Sequence, residues 1–288
     1  MPLSDKPAVI QRIYEMLVDP ATGALSRRIV THDDVQQAIN WCNENKGTKL
    51  STKNTANFIK DVVRGKGSEG MWPESLKAKR IGCRPLPGGG RVFEFVDYAP
   101  GQTLAFPERF KFDPNDASLG RHRLQTLSMP HASKLLGRTD ETWLIQVAAK
   151  LGLVETHFAL CSNLELVEVT HLQSGIKLRE TEVDALYSGL YNDGSTQHRA
   201  LIITLEAKHR GQRILEDQII RQVRAAFDVT KVDIVVPTTM VVVQLGYKQS
   251  GIYFVEFSAV RRADSVNLEE LEVATRMVYE LIPPVPGI

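Results

Sequence analysis

The chain has 288 residues, enough for one large domain or two ordinary ones, and its 43% hydrophobic and 24% charged content is the balance of a water-soluble globular protein. A formal net charge of +1 makes no global case for a polyanionic partner, so any basic surface has to be local. Three scattered cysteines (Cys42, Cys83 and Cys161) without a CxxC pair argue against a disulfide framework or zinc cluster. With an early-charged N-terminus and no apolar run near the ~20 residues of a membrane span, they lead us to expect a cytoplasmic protein.

The first elements read as helices. Val9, Ile13, Met16 and Leu17 recur at helical spacing over 8–18, and Asp19-Pro20 stops the pattern. Thr31 is placed to cap a second helix whose first turn holds Asp33 and Asp34 and whose inner face is Val35, Ala38, Ile39 and Cys42. A third helix is expected over 51–64. Lys53, Asn57, Lys60 and Arg64 follow one another at four- and three-residue steps and so line one side of it. The stretch after it is locally basic through Lys79, Arg80, Arg84 and Arg91, and the Pro85 to Gly90 segment reads as a hairpin tip with a return strand from Arg91 to Tyr98.

Three helices followed by a basic hairpin outline a winged helix-turn-helix module over 1–100. On that reading the third helix enters the major groove of DNA, and the eight residues Lys53, Asn57, Lys60, Arg64, Lys79, Arg80, Arg84 and Arg91 make contact. A solvated charged face is the alternative. The G-x-G-x-x-G run at 65–70 follows a helix rather than a strand, so it is read as a turn and not as a dinucleotide site.

Pro100, Pro107, Pro114 and Pro130, with Gly101, Gly120 and Gly137, break the pattern from Ala99 to about Arg138, so 101–138 is read as a linker or an irregular connecting layer, and the histidines have no metal-ligand spacing. Thr139-Asp140-Glu141 begins a helix that Gly152 breaks. Strands are expected at 164–170 and 176–184, joined near Ser174-Gly175, then at 200–207, 232–244 and 251–260. A helix follows from about Gln212, and a last helix is expected over 267–281 with Asn267 as its cap and Glu270 in a capping box. The fold class is therefore α/β. A mixed central sheet flanked by helices occupies 139–288, beside the smaller N-terminal module.

The chemistry concentrates at one point. Leu201 to Leu205 is an apolar, β-branched run typical of a buried strand, yet it leads straight into Glu206-Ala207-Lys208. Alternation along a strand puts Glu206 and Lys208 on one face, and Asp184 can bring a second carboxylate from the neighbouring strand. Two carboxylates beside an ammonium suit a hard cation and a phosphate. Gln218 and Gln222 lie one turn apart on the following helix.

Asp184, then Glu206-Ala207-Lys208 on the next strand, resembles the PD-(D/E)XK nuclease superfamily, with Val183 rather than Pro before the Asp. The resemblance implies Mg2+ held by Asp184 and Glu206, Lys208 as the catalytic lysine, and Gln218 on a helix face near the site. It also implies an upstream helical acid, Glu155 in preference to Glu141. The implied function is that of a type II restriction enzyme, a magnesium-dependent, sequence-specific endonuclease of double-stranded DNA, with a homodimer expected by analogy. A repair or defence nuclease of the same fold and a non-enzymatic DNA-binding regulator remain as alternatives.

Overall fold

The computed structural model describes residues 5–288 apart from 56–57, 60–61, 64–67, 107–108, 136, 193, 195–197 and 248, and only the backbone at 68, 69, 87 and 88. The chain divides into two units, Met1–Arg109 and Phe110–Ile288.

In the first unit, α1 (Lys6–Leu17) buries Val9, Ile10, Ile13, Tyr14 and Leu17, the face its spacing defines. A short strand β1 (Ile29–Thr31) leads into α2 (His32–Lys46). Thr31 caps α2 as expected: its hydroxyl accepts the Asp34 N–H at 3.3 Å, and the Asp34 carboxylate accepts the Thr31 N–H at 2.8 Å. Gly47, at φ 67°, ends the helix in the left-handed conformation that glycine adopts without strain. A short α3 (Glu74–Ala78) precedes β2 (Ile81–Gly88) and β3 (Arg91–Asp97), which form an antiparallel hairpin. Its two-residue tip, Gly89-Gly90, has φ of 59° and 75°, the pair of positive values that a tight hairpin turn requires. The sheet order is β1-β3-β2.

Trp72, Phe93, Phe95 and Phe106 form the aromatic core of this unit. Within the expected third helix, Phe58, Ile59, Val62 and Val63 are buried, and the Val63 N–H bonds the Ile59 carbonyl at 3.0 Å. Three of the residues assigned to its outer face, Asn57, Lys60 and Arg64, lie outside the described residues, as do 65–67 of the glycine motif.

The second unit is a mixed α/β arrangement, a large mixed sheet flanked by helices. Its chain order is β4 (Gly120–Gln125), α4 (His131–Leu135), α5 (Glu141–Lys150), α6 (Leu153–Leu160), β5 (Leu166–Leu178), β6 (Thr181–Asn192), β7 (His198–Lys208), α7 (Glu216–Val229), β8 (Ile234–Gly246), β9 (Gln249–Phe257), β10 (Val260–Arg261) and β11 (Val273–Ile282). The sheet runs β4-β11-β9-β8-β7-β6-β5, with β10 paired to β8. Strands β5, β6 and β7 form an antiparallel meander. The chain then crosses over through α7 to place β8 parallel to β7.

Strand alternation divides the core. Leu201, Ile203, Leu205 and Ala207 pack against α5 and α6 through Leu144, Val147, Val154 and Phe158. On the other face Ile202 packs against Val223, Ala226 and Phe227 of α7. Under α6 lies a buried polar group. His157 Nε2 is 3.1 Å from Glu256 Oε2 and 2.9 Å from Thr275 Oγ1, its Nδ1 is 3.0 Å from the Tyr279 hydroxyl, and Ser162 donates to Glu256 at 2.8 Å.

Three sequence expectations are corrected. The stretch 101–138 is not simply a linker, because 120–125 forms β4, paired in parallel to β11. Its alternating Arg121 and Arg123 hide a strand in which Leu124 alone is buried. The helix expected over 267–281 is instead a 3-10 turn at Arg262–Asn267 followed by β11. Tyr279 and Val278 are both buried because β11 lies between β9 and β4 and is covered on both faces, which erases the two-residue period. Finally, 166–178 is one strand. Gly175, at φ 63°, sits within the ladder, and the turn falls at Arg179-Glu180. Asp184 therefore lies near the start of β6 rather than at the end of a strand.

Candidate active site

Because β6 and β7 are antiparallel, the start of β6 adjoins the end of β7. The register pairs Ala185 with Leu205, and the Ala207 N–H donates to Asp184 Oδ2 at 2.8 Å. Glu206 and Lys208 are only 1% and 4% exposed. Burying an unpaired charge costs several kcal/mol, so such residues persist only when the surroundings satisfy them.

The surroundings do. Lys208 Nζ and Gln218 Nε2 both donate to Glu206 Oε1, and Gln222 Nε2 donates to Glu206 Oε2. Gln222 also donates to the Glu182 carbonyl at 3.1 Å. The glutamines reach Glu206 because the β7–α7–β8 crossover lays α7 over this face. On its other side, Lys208 Nζ lies 3.5 Å from Glu141 Oε1 in the first turn of α5. The Gln222 Oε1 atom is buried and has no hydrogen-bond partner among the described residues.

Asp184 carries the electrostatic signature of the site. Its carboxyl is pushed up to about 7, first by burial and then by the negative charge of Glu206, against the lowering effects of the Ala207 N–H and the Lys208 ammonium. Two carboxylates that repel one another in a half-buried setting form a site that a divalent cation would relieve, and hard oxygen donors suit magnesium. Among the described residues no three His, Cys, Asp or Glu side chains converge as a ready-made cage. Asp184 and Glu206 are the two carboxylates that could hold such an ion, the small number with which magnesium is commonly held beside substrate phosphate and water. The residues fit the ion.

Asp184, Glu206, Lys208 and Gln218 thus come together, with Gln222 as a further member. Glu155 does not join them. It lies on α6, where burial pushes its carboxyl up and where Tyr187 and His171, rather than Lys208, feel its charge. Glu141, the other candidate, is the one whose carboxylate approaches Lys208. Its position directly after the helix cap Asp140 is the only signal the sequence offered.

The basic residues assigned to DNA contact have varied surroundings. Lys53 and Arg91 are exposed. The Lys79 ammonium sits 4.8 Å from the centre of the Tyr14 ring. Arg80, at φ 57°, donates to the carbonyls of Ala99 and Gln102, both at 3.2 Å. Arg84 pairs with Glu94 across the hairpin at 2.8 Å. Local charge at Lys79, Arg80 and Arg84 is therefore partly committed to the unit's own fold.

Comparison with protein-family models, with curated proteins and with solved structures gives no match for this chain.

Proposed function

We propose that the protein is a magnesium-dependent endonuclease that hydrolyses phosphodiester bonds of double-stranded DNA at a specific sequence, in the manner of the PD-(D/E)XK type II restriction enzymes it resembles. The observation that carries the reading is the convergence of Asp184, Glu206 and Lys208, in which burial first and then the charge of Glu206 push the Asp184 carboxyl up to about 7. Asp184 and Glu206 would hold the ion. Magnesium bound there supplies Lewis-acid polarisation of a phosphoryl oxygen and lowers the pKa of a bound water.

The chain's own residues do the rest. Gln218 and Gln222 fix the Glu206 carboxylate in one orientation, which sets the rigidity a reacting site needs. Lys208, anchored between Glu206 and Glu141, orients the attacking water, and its ammonium offsets the charge that grows on the phosphate. Empty of metal, the two carboxylates repel a phosphate, so binding and cutting are separable.

In the first unit, the sheet order β1-β3-β2 and the tight hairpin that follows α1, α2 and α3 support a winged-helix reading. Lys53 and Arg91 are exposed cations on this unit, the residue type that contacts a phosphate backbone. A two-fold dimer, each copy addressing one strand, is the simplest way to cut both strands of a symmetric site.

The test is Asp184→Ala, which should abolish cleavage and keep or tighten DNA binding. Cleavage by this variant at the parental rate removes Asp184 from the mechanism. A smear in place of discrete fragments favours the non-specific nuclease, and binding that ignores metal and never leads to cutting favours a regulator.

A further inference from the structure

The segment that follows β11, residues 283–288, ties both ends of the Lys208–Glu141 pair to one stretch of backbone. On the helix side, the Trp143 indole N–H donates to the Pro286 carbonyl at 3.0 Å, and Trp143 is 3% exposed in the first turn of α5, two residues beyond Glu141. On the strand side, His209 follows Lys208, and its Nε2 lies 3.4 Å from the Gly287 carbonyl. Between them, Gly287, at φ 87°, packs so closely on the chain before α5 that a Cβ there would meet the Arg138 carbonyl oxygen at 1.8 Å.

Arg138 in turn holds the helix cap Asp140 at 2.7 Å, and Asp140 accepts the Trp143 N–H at 2.8 Å. Val285 and Ile288 seat in the same core as Trp143, and Thr126 donates to the Pro283 carbonyl at 2.7 Å. The approach of Gly287 to Arg138 admits glycine alone, both for space and for φ.

We propose that residues 283–288 act as a strap whose Pro286 and Gly287 carbonyls position Glu141 against Lys208, making Trp143, His209 and Gly287 positioning residues for the lysine. The functional meaning rests on the reading of Lys208 as the catalytic lysine; the geometric claim does not. Glu141 and Lys208 come from elements that pack through Leu144, Leu205 and Ala207 but share no backbone hydrogen bond, so polar tethers at the start of α5 and the end of β7 add to that packing in setting their 3.5 Å approach. The strap touches both.

The experiment is a double-mutant cycle read by thermal unfolding in full-length protein. Glu141→Gln and Lys208→Gln are made singly and together in the parent, in a Trp143→Phe/His209→Leu variant that removes both tethers while keeping bulk, and in Gly287→Ala. The strap predicts non-additive midpoint shifts in the parent and additive shifts in both strap variants. Equal non-additivity in the parent and the Trp143→Phe/His209→Leu variant overturns it, as does additivity in the parent itself.

Cleavage kinetics supply the second readout. The strap variants should lose about tenfold or more in kcat with KM for DNA unchanged, because a displacement of the order of 1 Å has that scale of effect. A fall in melting midpoint with kcat intact overturns the positioning role. A parent protein that cuts no DNA refutes the nuclease reading instead, and the cycle alone then decides the strap.

Discussion

Replacing Asp184 by Asn removes one of two mutually repelling carboxyls while keeping an oxygen that can accept the Ala207 N–H. The carboxyl rises from its ordinary 3.8 to about 7 in the folded protein. Because the folded value lies above the unfolded one, its favourable contribution is complete below pH 4 and is lost as pH rises to about 7. A shift of about 3 units corresponds to about 4 kcal/mol of penalty on the ionised folded state at pH 8. Asn escapes the share due to Glu206 but still carries a polar group into a half-buried position, so a net gain of about 2 kcal/mol is expected above pH 7. In a unit of this size that is about 4–8 °C in the melting midpoint.

The assay is thermal unfolding of both proteins in EDTA at pH 5, 6, 7 and 8, followed by the fluorescence of Trp143, the one tryptophan of the second unit. Taking the difference between the proteins removes the acid loss they share. The difference should be small at pH 5 and reach its full value by pH 8, and added Mg2+ at pH 8 should raise the parent alone. A difference that is flat across this range, or larger at pH 5, refutes the repulsion argument.

Other expectations concern the polar core, the carboxylate clamp and the DNA surface. Glu256→Ala strips His157, Ser162 and Thr275 of their common acceptor in a fully buried group, and should cost about 3–5 kcal/mol in denaturant unfolding. Gln222→Leu removes the donor on Glu206 Oε2 and should lower kcat more than it raises KM for DNA, whereas an equal change in both would assign Gln222 to general packing. Lys53→Ala and Arg91→Ala should each weaken duplex binding regardless of sequence and reduce the salt slope by about 1, as checked by titration at several salt concentrations.

The central motif was legible because a buried strand has no local reason to carry Glu206 and Lys208, and because Gln218 and Gln222 share a face at any helical register. The distinction between Glu141 and Glu155 was not. Both sit near helix starts, and only the packing of α5 and α6 on the sheet decides which reaches Lys208. β11 was hidden for a related reason. Where Val278 and Tyr279 are both buried its side chains lose alternation, and Ala274, Val278 and Leu281, with Leu271 just before the strand, fall at helix-like spacings.

In the basic hairpin, charge could be counted but not its commitments. Nothing local says that Lys79 will lie over Tyr14, which is 65 residues earlier, or that Arg84 will meet Glu94. The strap carries no local sign of its role, since its partners Arg138, Trp143 and His209 are supplied by the fold.

The most direct test of the central claim is incubation of unmethylated phage DNA with the protein in Mg2+ and in EDTA, with Lys208→Ala alongside. Discrete fragments that require both magnesium and Lys208 are the predicted result. Intact DNA with the parent protein in magnesium, or cutting that persists in EDTA or without the lysine, would contradict it.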